Sequence, residues 1–153
     1  MSYKGLEINH DVLQISKMVF DLLDIDGEAL EGDFLTKALP GFNKGFTFPP
    51  LAMKSMNDKK PHSVLYPEIM VGKNNAEWQF IDRMLYSMED GGKVVALVPM
   101  RALFNHPEEE YRKELLKEGL IEGIIELPTG VLKYIGVKMA VIVFSHDNKT
   151  VKL

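Results

Sequence analysis

An α/β fold built on an open sheet is what this sequence predicts, and three stretches predict it. Residues 93–99, Lys-Val-Val-Ala-Leu-Val-Pro, form a continuous apolar and β-branched run bounded by glycine and proline, as expected of a strand buried on both faces at the sheet centre. Residues 42–51 read as a second strand that halts at Pro49 and Pro50, which lack N–H donors and hold Phe48 extended. Two segments with apolar residues at helical spacing, one near the amino end and one from about residue 77, alternate with these strands.

With 153 residues, 46% of them hydrophobic and 26% charged, the chain has enough material for one domain with a core, taken as residues 1–153. It contains no cysteine, which excludes disulfides, thiolate metal sites and cysteine nucleophiles. Its four histidines, His10, His62, His106 and His146, are too scattered to suggest a metal centre, and none is expected. A formal charge of −4 supplies no overall positive field toward phosphate backbones, so a nucleic-acid role needs a local basic patch or a basic partner. Neither a signal-peptide core nor an apolar run of membrane-span length occurs, so the expectation is a cytoplasmic protein with no membrane partner.

Taken in order, Asp11 and Gln14 predict a capped helix start, and Val12, Ile15, Val19 and Leu22 continue one apolar face toward a stop near Gly27. Residues 29–35 follow as a short strand ending in Glu31, Gly32, Asp33 and Phe34, where a Gly-Asp pair is either a turn or a site. Beyond the prolines, residues 52–73 lack sustained periodicity, and a loop of that length within a compact domain is functional or disordered. It carries Lys54, Lys59 and Lys60, which read as phosphate contacts or as solvated surface charge.

Asn74 and Asn75 open a second helix with Trp78, Ile81, Leu85 and Met88 on its core face and Gly91-Gly92 as the stop. The run Asn-His-Pro-Glu-Glu-Glu over 105–110 starts a third, its acids facing the positive end of the helix dipole, and Lys117 and Gly119 close it. Two strands, 121–127 and 138–144, finish the chain. The ten residues between them are too few for a helical crossover, so this pair is expected to be antiparallel.

Together these pieces resemble the catalytic domain of adenine-specific DNA methyltransferases, in particular the modification subunit of type I restriction-modification systems. The resemblance runs over about residues 15–144 and rests on a succession in order: the helix, the run Asp-Gly-Gly-Lys-Val-Val-Ala-Leu-Val-Pro over 90–99, Ala102-Leu103-Phe104, the arginine-bearing helix from Arg112, and the strand ending Leu127-Pro128. It implies a Rossmann-like S-adenosylmethionine-dependent methyltransferase fold that is incomplete, with about five strands, the last two antiparallel, and without the first two strands of the parent sheet. In the same register Gly32, Asp33 and Phe34 fall on the segment that contacts the adenine of S-adenosylmethionine, and Phe48, Pro49, Pro50 and Leu51 fall on the catalytic Asn-Pro-Pro-aromatic corner. Lys54, Lys59 and Lys60 would then face DNA, and residues 52–73 become a loop on the active-site side.

Two departures qualify what the resemblance implies. Phe48 has no acceptor for an adenine amino group and Leu51 has no π face to stack on a flipped base, so only the proline carbonyl persists from that apparatus. No Gly-x-Gly precedes the first helix, so the motif that grips the cofactor's methionine end, and the acid that holds its ribose, are expected to be missing. The resulting expectation is a DNA adenine methyltransferase-like part or degenerate subunit, inactive alone, with DNA and a DNA-specificity subunit as implied partners. The alternative is a non-catalytic interaction protein of a restriction-modification or nucleic-acid complex, and a methyltransferase for another substrate is a third reading. Missing strands would leave an open sheet edge beside residues 42–48, to be covered by a complementary N-terminal half or a second copy.

Overall fold

A computed structural model describes residues 2–37, 39–54, 62–72, 74–133 and 136–146. The chain forms two compact units, Met1–Leu39 and Pro40–Leu153.

The first unit is a βαβ element. Strand β1 (Tyr3–Glu7) and strand β2 (Gly27–Glu31) pair in parallel, from Tyr3 opposite Gly27 to Glu7 opposite Glu31, and helix α1 (His10–Leu22) joins them. β1 corrects the expectation that the chain begins at the helix: a strand precedes it, and the described residues hold six strands rather than about five. Its low apolar content hid it, since Tyr3, Lys4 and Gly5 are all exposed. The cap of α1 is Asn9 rather than Asp11, because extended Asn9 turns its side chain onto the N–H groups of Asp11 at 3.0 Å and Val12 at 3.2 Å.

α1 also ends earlier than Gly27. Asp24 adopts a left-handed φ of 50°, and the Ile25 N–H donates to Phe20 O at 2.9 Å while that of Asp24 reaches Asp21 O at 3.4 Å, a Schellman closure with aspartate in the usual glycine position. Gly27 serves packing instead of termination, since a Cβ there would stand 2.9 Å from Phe20 Cε2.

The second unit holds a four-stranded sheet in the order β3-β4-β6-β5, with β3 (Phe42–Thr47), β4 (Met88–Pro99), β5 (Ile121–Glu126) and β6 (Met139–Ser145). β3 and β4 are parallel, while β6 runs antiparallel to both neighbours, so the final antiparallel pair is as predicted. Helix α2 (Glu77–Ser87) crosses between the parallel strands and helix α3 (Glu109–Lys117) precedes β5.

Gly91 and Gly92 do not stop α2. The chain turns extended at Met88 and enters β4 directly, and the two glycines lie in a bulge where register passes from Phe42 opposite Met88 to Lys44 opposite Lys93. Gly91 takes φ 72°, and a Cβ on Gly92 would approach Glu89 O to 2.7 Å.

One sheet face carries the core. Val94, Ala96 and Val98 of β4 and their partners Phe144, Ile142 and Ala140 of β6 are fully buried, and Gly45 of β3 lies on the same face beneath Met84 of α2. Trp78, Ile81 and Leu85 of α2 and Tyr111 and Leu115 of α3 complete it. On the opposite face Val95, Leu97, Val141 and Val143 are only half-buried, so the expected burial of β4 on both faces holds for one of them. β3 is an edge strand whose sole partner among the described residues is β4, as expected of an open edge beside residues 42–48.

Candidate functional site

In the first unit, parallel pairing puts two acids at adjacent strand ends. Glu7 closes β1, and Glu31, Gly32 and Asp33 follow from β2, with the Gly32 N–H donating to Glu7 O at 3.1 Å. The Asn9 N–H donates to Glu7 Oε1 at 2.7 Å, which fixes the carboxylate and leaves Oε2 without a partner among the described residues. Asp33 Oδ1 accepts the Leu35 N–H at 2.9 Å, while Asp33 O accepts those of Thr36 at 3.1 Å and Lys37 at 2.9 Å. Phe34 begins this turn and is half-buried. Carboxylates accept hydrogen bonds, so Glu7 and Asp33 suit hydroxyl and amino donors, while Lys37 Nζ, donating to Glu31 O at 3.1 Å, sets a cation at the same end. Glu7 is the residue that sequence reasoning missed. Its signal was slight: a short strand ending two residues ahead of an asparagine cap.

In the second unit, the corner after β3 places Phe48 41% exposed, Pro49 buried, Pro50 exposed and Leu51 half-buried. The following Ala52 has φ 55°, a left-handed conformation costly for a residue with a Cβ, and strain of that kind persists only where surrounding contacts enforce it. Here the Met53 N–H reaches Pro50 O at 3.4 Å, and Met53 O accepts the buried Ala76 N–H at 2.8 Å, tying the corner to the start of α2. Lys54 is described and exposed, whereas Lys59 and Lys60 lie outside the described residues.

The loop returning to α2 is fastened by Asp82. This buried carboxylate accepts Ser63 Oγ at 2.5 Å, the Val64 N–H at 2.6 Å and Tyr111 OH at 2.9 Å, while Ser63 Oγ in turn accepts the Tyr66 N–H at 2.9 Å. Burial, then the Asp82 charge, pushes the Tyr111 phenol well above its ordinary range; burial, then the bond to Glu118, raises that of Tyr66. Both stay protonated donors. A bridge between His62 and Met70 closes the far side, so part of the stretch expected to be irregular is ordered by pairing.

The strand end beside this corner is anchored separately. After β4 ends at Pro99, a short 3-10 helix (Met100–Leu103) is held by Trp78 Nε1 donating to Ala102 O at 3.0 Å and by the 2.5 Å ion pair of Arg101 with buried Glu77. Arg112 donates to Asn105 Oδ1 and Asn105 O, both at 2.7 Å. Glu108, expected at the start of the third helix, lies in the 3-10 turn before α3, is fully buried and accepts Asn105 Nδ2.

Residues 1–153 match the family model described as N-6 DNA methylase. The fold is similar to that of the type I restriction-modification system methyltransferase subunit from Streptococcus thermophilus, at TM-score 0.85 and 23% identity over 98% of this chain and 35% of that one. It is also similar to the M protein of the type I restriction enzyme EcoKI, at TM-score 0.75 and 23% identity over 93% of this chain and 30% of the other. A class I S-adenosylmethionine-dependent methyltransferase from Listeria monocytogenes gives TM-score 0.75 at 21% identity, covering 96% and 45% of the two chains. The chain thus spans about a third of the length of the two restriction-system subunits. Likeness at these identities establishes the methyltransferase fold and not the chemistry of individual residues.

Proposed function

Because the chain belongs to the N-6 DNA methylase family, we propose that it supplies the adenosine-binding and base-facing parts of a DNA adenine methyltransferase of the type I restriction-modification kind, and that it is inactive alone. The observation that carries this reading is Glu7 at the carboxyl end of β1 and Asp33 two residues beyond that of β2, the two strands being adjacent and parallel, where open α/β sheets bind nucleotides. Oε2 of Glu7 suits a ribose hydroxyl. Asp33, with Gly32 beside it and Phe34 following, suits the exocyclic amine of adenine. A Gly-x-Gly for the methionine end does not occur in the 153 residues, so affinity for S-adenosylmethionine is expected to be poor without a glycine-rich segment from elsewhere.

When bound, such a cofactor offers an electrophilic methyl group to the adenine nitrogen, which loses a proton as the sulfonium becomes a thioether. The chain's own contribution would be to hold the amine in line through a carbonyl of Pro49 or Pro50. Phe48 adds no acceptor, and loss of a preorganised polar group of this kind costs about a hundredfold or more in rate. Lys54, with Lys59 and Lys60, would meet DNA phosphates, and a DNA-specificity subunit would be a further partner. A complementary N-terminal half or a second copy would cover the β3 edge.

A second reading, a non-catalytic interaction protein of such a complex, is favoured by the apolar side chains of Phe48 and Leu51 at the corner. Titration with S-adenosylmethionine followed by backbone NMR separates the two. The first reading expects a dissociation constant weaker than about 100 μM, a binding free energy smaller in magnitude than about 5.5 kcal/mol, with shifts confined to Glu7 and residues 31–34 and lost in Glu7→Gln. Absence of any shift at those residues with millimolar cofactor leaves the interaction protein, and low-micromolar affinity would show that no added segment is needed.

A further inference from the structure

The geometry points to α1 as a docking helix for a partner that presents a basic amphipathic helix. α1 has two apolar stripes. One holds Leu13, which is buried, and Phe20, which lies over Gly27 of β2. The other holds Val12, Ile15, Met18, Val19, Leu22 and Leu23, and it is left in solvent: Ile15 is 59% exposed, Met18 61% and Leu22 83%. These residues recur at helical spacing along one face, so they form one strip rather than scattered surface hydrophobes, and strips of that kind mark interaction sites.

Charge narrows what can cover it. The unit Met1–Leu39 carries eight carboxylates against three lysines, a formal −5 in a chain whose total is −4. Asp11 lies in the same row as Ile15, Met18 and Leu22, and Asp21 and Asp24 stand at the other end; all three are exposed. Asp11 and Asp21 are about 15 Å apart along the axis at the helical rise of 1.5 Å per residue.

A second copy is a poor occupant, because two-fold antiparallel pairing would set Asp11 of each copy against Asp21 and Asp24 of the other. An anionic lipid surface or a nucleic acid would meet the same acids, and helices that lie on membranes carry lysine and arginine beside their apolar face. An apolar stripe flanked by lysines or arginines about ten residues apart satisfies both features of this face, burying the strip and pairing with its acidic rim.

The test uses the full chain and two synthetic amphipathic peptides of the length of α1, identical in their leucine stripe but flanked by lysine in one and glutamate in the other. Fluorescence anisotropy should show the lysine peptide binding at least about tenfold more tightly, with the preference shrinking as salt rises. Ile15→Ser with Leu22→Ser should abolish binding while far-UV circular dichroism is unchanged. Asp11→Lys with Asp21→Lys should reverse the preference, and this arm decides the matter if the serine variant fails to fold. Equal binding of both peptides, or binding indifferent to the serine variant, overturns the proposal. So does displacement of the lysine peptide from the chain by a second copy, seen as self-association that the serine variant removes.

Discussion

Tyr111 donates its phenolic hydrogen to Asp82 at 2.9 Å, so α3 and the loop that returns from the Pro-Pro corner are fastened to the same buried carboxylate of α2. No cation is bonded to that carboxylate among the described residues; hydroxyl and backbone donors satisfy it. Its removal leaves several donors buried without a partner. Asp82→Ala should therefore destabilise the chain by about 3–5 kcal/mol, while Tyr111→Phe should cost only about 1–2. Urea unfolding of both variants checks this, and equal losses would contradict the carboxylate's role as the hub.

Alkaline pH should probe the same group. The Tyr111 phenol titrates well above its ordinary 10.0 in the folded chain, because burial and then the Asp82 charge disfavour its anion. A folded pKa above the unfolded one stabilises fully below the unfolded value, and that contribution is lost as pH rises from there through the folded value. Stability measured by urea midpoint should fall above about pH 10, and more steeply in the parent than in Tyr111→Phe. Parallel declines would assign the loss to other groups.

Catalysis should hinge on the corner. Phe48→Asn with Leu51→Tyr is expected to give adenine methylation only when a glycine-rich N-terminal half is supplied, and the gain over the unchanged corner should be about a hundredfold. Transfer of labelled methyl groups to DNA measures it. Activity of the unmodified chain on its own would refute the account of Phe48.

Lysines of the loop should reveal themselves through salt. Replacing Lys54, Lys59 and Lys60 by alanine should weaken DNA binding and flatten the slope of log affinity against log salt by roughly 0.9 for each phosphate no longer neutralised. An unchanged slope makes them solvated surface charges.

The β3 edge should be reached by another chain. Phe46 on that strand is 66% exposed, and sedimentation is expected to show a dimer, or a hetero-complex once a complementary half is added. A stable monomer at high concentration in both cases would mean that the edge is not an interface.

The sequence by itself determined the elements whose signal is local and periodic. Trp78, Ile81 and Leu85 announced α2, the β-branched run announced β4, and the ten-residue connection required β5 and β6 to be antiparallel. The order of motifs from residue 90 to 128 was also enough to place the chain beside N-6 DNA methylases, because a succession constrains more than any single motif. What only the tertiary structure decided lies where pairing overrides propensity. β1 has little apolar content and becomes a strand because β2 offers it a parallel ladder, and that alone sets Glu7 opposite Glu31 and against the Gly32 that leads into Asp33. Gly91-Gly92 looked like a helix stop yet lies in a bulge, since the register of β3 against β4 requires extra residues there. Asp82 and Ser63, nineteen residues apart, carry no spacing that predicts their bond, which exists because the fold closes a loop over α2. Local periodicity reports how a residue meets its own neighbours, and long-range pairing is settled only when distant segments compete for the same donors, acceptors and apolar surface.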